Sequence, residues 1–255
     1  MKQLRSWSRR LHRWLGLAVA IQLLAWMVSG FFFTLYPIEE IRGEHLVHAA
    51  PDLGGIDAGA LIAPAAVVKA LRKAFGEVRV SSLELMPRGD RAYYRAGFVD
   101  GAGREGTRLV DARTGALQAG VSAEAAARIA AARFKPDSRI SDVTRLTDAP
   151  PDHEYRGGPF PAWRVAFEHD SGMRMYVSEA TGEVTAMRTA NWRVFDFFWM
   201  LHIMDYDERQ DFSHPLITGV AALGGIIVIS GFLLWLITTP LLRRQRQRQD
   251  PVSNR

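Results

Sequence analysis

Two uninterrupted apolar runs frame this chain. From Trp14 to Ile38 there are 25 residues without Asp, Glu, Lys, Arg or His, and from Pro215 to Leu242 there are 28. A helix needs roughly 20 apolar residues to cross a hydrocarbon core, so each run predicts a membrane span. The pattern between them is that of a globular domain. "PAAVVKALRKAFG" places Val67, Val68, Leu71 and Phe75 on one helical face, with Pro64 near the first turn and Gly76 as a stop. The runs "VRVSSLELM", "RAYYRAGFV" and "GTRLVDARTGALQA" follow, strand-like and separated by Gly and Asp turns.

The same order then recurs. "SAEAAARIAAARFKP" reads as a helix opened by Ser122 and closed before Pro136, and strand-like runs follow it again. "GTRLVDARTGALQA" aligns with "MRMYVSEATGEVTA" at an offset of 67 residues, which sets Thr114-Gly115 and Thr181-Gly182 at one hairpin position. "APPDHEYRGGPFP" lengthens the second copy as a loop. The expected fold class is α+β, with tandem α-β-β-β units between two transmembrane helices.

A third apolar segment precedes the second span. Between Val194 and Met204 stand nine large apolar residues, interrupted only by Asp196 and His202, and the acidic stretch "DYDERQD" follows. As a helix, 194–204 would cover only about 16 Å, too short to cross a bilayer. The expectation is an interfacial helix with His202 turned toward protein, hydrogen-bonded by Asp196 or Asp205. A metal set of His202, Asp205, Asp207 and His214 has no recognised ligand spacing.

Charge gives the topology. The flanks 1–13 and 243–255 together carry +9, while the rest of the chain carries −4. Lys and Arg collect on the cytoplasmic side of spanning helices, so both termini are expected in the cytoplasm and the central domain outside the inner membrane. Nucleic-acid binding would need that charge on a folded face. The first run exceeds the length of a signal-peptide core and acidic residues follow it, so it is read as a retained anchor. Cysteine is absent, which excludes thiolate chemistry, disulfides and covalent haem attachment. Neither span holds a charged residue that would mark an ion or proton path. Gly16-xxx-Ala20 and Ala221-xxx-Gly225 offer small-residue faces for helix approach.

The hairpin "YVSEATGEV" and its partner "LVDARTG" resemble the PepSY domain. The start "RRLHRWLGL", the pair Ser29-Gly30, "LH" at 201–202 and "SGFLLW" at 230–235 resemble the PepSY-associated transmembrane family. Some members of that family are haem-bearing membrane reductases of ferric siderophores. The resemblance therefore implies b-type haem and electron transfer toward iron, with His12 as a ligand near the cytoplasmic leaflet and His202, opposed by His45 or His214, on the outer side. It equally implies a non-enzymatic reading, because PepSY domains accompany propeptides that inhibit peptidases: a periplasmic binding module regulating a peptidase, or a scaffold in a membrane complex. For His12 the residues alone also fit an interfacial anchor, and for His202 a structural tie. Membrane lipid and a second copy or a membrane partner protein are the expected partners, with no nucleic acid. The expected organisation is a basic flank (1–13), span (14–38), linker (39–61), PepSY-like units (62–120 and 121–190), interfacial helix and acidic loop (191–213), span (214–242) and basic tail (243–255).

Overall fold

A computed structural model describes residues 2–89, 91–150 and 152–238, with backbone alone for 2–13, 234 and 236–238. The basic tail lies outside the described residues. The chain divides into two compact units, 36–195 and the helical pair formed by 1–35 with 196–255.

In the helical unit, α1 (Lys2–Leu35) and α6 (Pro215–Thr238) run the length expected of spans, and α1 begins well inside the expected flank. By length and composition Trp14–Leu35 and Pro215–Leu233 suffice to cross a membrane. They meet through Gly224, where an added Cβ would stand 3.5 Å from Leu23 and 3.7 Å from Val19. Gly16 and Gly225 have nothing within 4 Å of such an atom. The contact thus falls on a neighbouring helical face, 100° round from the one the small-residue spacing suggested.

In the unit 36–195, α3 (Pro64–Phe75) precedes a sheet of order β1-β2-β3, made of Val78–Arg88, Arg91–Asp100 and Glu105–Asp111. Then α4 (Ala123–Arg133), whose Ser122 side chain caps the Ala125 N–H, precedes β4-β5-β6-β7: Ile140–Leu146, Ala162–Phe167, Arg174–Ser178 and Val184–Arg188. Each helix buries two positions one turn apart against its sheet, Val67 and Leu71 in one case and Ala126 and Ala130 in the other. Short α2 (Ile38–Arg42) and two 3₁₀ turns (Glu44–Leu46 and Ala58–Ala60) lead in.

The 67-residue offset is a backbone fact. Asp111 N–H donates to Ala116 O and Gly115 N–H to Asp111 O; Ser178 N–H donates to Glu183 O and Gly182 N–H to Ser178 O. Val110 faces Leu117 as Val177 faces Val184. Both glycines need the left-handed region, at φ of 74° and 68°. The copies differ in one respect. Residues 184–188 form a full fourth strand, whereas the corresponding stretch in the first copy leaves the sheet after its single bridge at Leu117, running into Ala119-Gly120.

The long loop 147–161 is no solvated excursion. Tyr155 is fully buried and stacks on Tyr176 at 4.3 Å, its hydroxyl held by Thr185 and Pro159 O. Glu154 accepts from Arg193 Nε at 2.6 Å, from Arg174 at 3.0 Å and from the Tyr176 hydroxyl, while its carbonyl accepts from Arg188. The loop covers the face of the second sheet opposite α4, where Tyr155 packs with Ala162, Tyr176, Leu146 and Ala186. Burial alone would raise the Glu154 carboxyl, but those donors hold it down at about 2. Burial, reinforced by the Glu154 bond, pushes the Tyr176 hydroxyl up.

Candidate functional site

The third apolar segment forms α5 (Ala190–Ile203), opened by Thr189, whose hydroxyl accepts from Trp192 N–H. It stops at Met204, which takes the left-handed conformation (φ 57°). A helix end leaves its last carbonyls without intrahelical partners. Here three side chains supply them: Gln22 Nε2 donates to Leu201 O (3.1 Å), Trp26 Nε1 to His202 O (2.7 Å) and His214 Nε2 to Ile203 O (2.9 Å). Because a carbonyl only accepts, His214 carries its proton on Nε2.

His202 points inward, as expected, but its partner is Ser29, with Oγ 2.7 Å from Nδ1. The same Oγ lies 2.7 Å from Ala25 O. A hydroxyl has one proton, and two oxygens at that distance need it between them. Ser29 therefore donates to Ala25, and His202 donates from Nδ1, which leaves the lone pair on Nε2. Burial lowers the imidazole pKa, favouring this neutral form. Phe33 meets the ring edge-on at 5.5 Å. Ser29 is fully buried, and Gln22, Trp26, Ser29 and Phe33 recur on one face of α1.

The two acids expected to hold His202 are engaged elsewhere. Asp196, buried, accepts from Arg209 Nη1 at 2.6 Å, and Trp199 donates to Arg209 O. Six residues along a helix put Asp196 about 240° round from His202, on another face. Asp205 lies beyond the helix end and accepts four backbone N–H groups, from Asp207, Glu208, Gln210 and Asp211. Burial alone would raise its carboxyl; those bonds drive it far below the ordinary range. The acidic stretch is thus a loop built around one carboxylate. Among the described residues no group of three or more His, Asp or Glu side chains could hold a metal ion.

Of the four histidines expected at a site, 202 and 214 meet at the end of α5. His45 belongs to the other unit, exposed in its 3₁₀ turn with its carbonyl accepting from Lys135. The side chain of His12 lies outside the described residues. Tested against haem, His202 offers an oriented ring with Nε2 uncommitted, as an axial ligand requires. His214 has its Nε2 on a backbone carbonyl, leaving only Nδ1. One chain thus presents one well-prepared ligand and no matching second.

The unit 36–195 carries a different kind of site. A groove of about 760 Å³ runs where the two sheets meet. Its floor is the face of the first sheet away from α3 (Ser82, Gly97, Thr107), and its walls are Phe160 and the second Thr-Gly hairpin with Glu183. Arg95 bridges Glu84 on one sheet and Glu183 on the other. A more open depression of about 870 Å³ at the end of α3 involves the first copy alone.

The sequence gives no direct sign of the groove, which needs both copies. Gln22 and Ser29 were visible as polar positions seven apart in an apolar run, the signal of an inward face. The profile of the family described as PepSY-associated TM region matches residues 9–253. No curated protein and no solved structure matches the chain.

Proposed function

From the premise that the chain belongs to the PepSY-associated transmembrane family, we propose that it anchors a tandem PepSY-like binding module on the outer face of the cytoplasmic membrane. Both termini face the cytoplasm in this reading, as the charge on the flanks requires. The observation that carries it is the groove: two copies of one hairpin fold assemble a cleft that neither makes alone, with paired charges and an aromatic wall but no nucleophile, base or metal set. Such a cleft suits a segment of a partner protein, either a peptidase to be regulated or a subunit of a membrane complex. Filling the floor with Thr107→Trp is expected to leave the melting temperature of the detergent-solubilised chain within a few degrees of wild type. It is expected to release the chain from the larger assembly it forms in native membranes, read by native electrophoresis. Unchanged migration would count against the groove.

A second reading rests on His202, whose Nε2 is left uncommitted by the Ser29 bond. There His202 is an axial ligand of b-type haem, with the opposing imidazole from His214 or a second copy, and His12 serves a separate haem. Haem would supply one-electron transfer to an acceptor such as ferric iron. Protein purified from haem-replete cells then shows a Soret band that His202→Ala removes. The binding reading predicts a colourless wild type, with His202→Ala changing stability alone.

A further inference from the structure

We propose that the outer boundary of the bilayer crosses α1 near Ser29 rather than at its end, and that a collar of exposed aromatic side chains rests on the lipid headgroups there. The premise is only that α1 and α6 span the membrane. Two separate observations set the level.

The first is the register of the two spans. Gly224 lies between Val19 and Leu23, and the helices run in opposite directions. Pro215, nine residues back along α6, therefore stands level with about Gly30 of α1. The last turn and a half of α1 extends beyond the start of its partner.

The second is the water-requiring loop. Residues 204–214 contain Asp205, Asp207, Glu208, Arg209 and Asp211, and an acyl environment would charge several kcal/mol for such groups. The loop is fixed at both ends. His202 at its start is held by Trp26 and Ser29, and His214 at its close by Ile203 O. It thus encircles α1 at the level of residues 26–30. If the hydrocarbon extended to Leu35, about 9 Å further along α1, this loop would lie inside it. About 30 Å counted inward from Ser29 reaches Arg9 and Arg10, basic residues suited to the opposite interface.

At that level the unit shows apolar rings to the outside. Phe31 is 66% exposed, Phe212 67%, and Tyr206 and Phe197 51% each. Aromatic side chains gather where membrane meets water. α5 descends along α1, with Phe198 against Phe32 and Trp199 near Phe33, so Phe197 lies level with the end of α1, at the outer margin of the headgroup layer. The occupant of the collar is the bilayer interface.

The chain has no cysteine, so single spin labels can be placed through Met27→Cys, Phe31→Cys, Leu35→Cys, Phe197→Cys and Phe212→Cys in the full chain in nanodiscs. The ratio of oxygen to nickel-chelate accessibility should be high at Met27, intermediate at Phe31 and Phe212, and several-fold lower at Leu35 and Phe197. Equal, oxygen-dominated ratios at Leu35, Phe197 and Met27 would overturn the proposal by sinking α5 and its loop into lipid. Labels at Phe31 and Phe212 shielded from both reagents would overturn it too, by placing a protein surface where the bilayer is assigned.

Discussion

Glu154→Gln is expected to destabilise the domain 36–195 by about 3 kcal/mol at neutral pH and to remove much of its sensitivity to acid. The carboxyl sits at about 2, against an ordinary value of 4.5, and each unit of depression corresponds to about 1.4 kcal/mol. The sign follows from the depression. The stabilisation is fully present above pH 4.5 and is lost as pH falls toward 2, because the unfolded chain takes up the proton first. The wild-type melting temperature should fall through that window, and that of the variant should fall much less. At neutral pH the two should differ by roughly 10 °C, for a domain of this size. The carboxylate is 11% exposed, so little of this is screened by solvent. Equal acid dependence in both proteins would show that Glu154 is not the acid-sensitive tie.

Trp26→Phe is expected to cost about 2 kcal/mol, since it keeps a ring but removes the donor to His202 O. An unpaired carbonyl at the membrane edge is expensive. Trp26→Ala should cost about 4 kcal/mol, adding the loss of packing. The readout is proteolysis of loop 204–214 in the detergent-solubilised chain, whose fastening depends on the end of α5. A loss of 2 kcal/mol raises the open fraction about thirtyfold when opening is fast relative to cleavage. Trp14→Phe, at a position 67% exposed, should leave the cleavage rate unchanged. Equal rates for Trp26→Phe and wild type would mean that the bond does not fasten the helix.

Much of this architecture is legible from short-range pattern. The spans follow from two runs of residues, the repeat from a fixed offset, and the hairpins from Thr-Gly, because each is decided within a few residues of chain. The failures have a common physical origin. His202 finds its partner 173 residues away at Ser29, whereas sequence proximity points to Asp196 and Asp205. "APPDHEYRGGPFP" reads as a loop by composition, yet Glu154 and Tyr155 are committed to Arg193, Tyr176 and Thr185. A buried polar residue advertises that it needs a partner but not which one. The groove is subject to the same limit, since its floor and walls come from copies that the sequence can only show to be alike.

The most direct test of the binding module is photo-crosslinking from inside the groove. A benzophenone amino acid at Phe160, in cells expressing the full chain from its own membrane, should give one discrete adduct with another protein. The same probe at Phe75, on α3 away from the groove, should give none. Discrete adducts from Phe75 and none from Phe160 would contradict the account, as would identical smears from both.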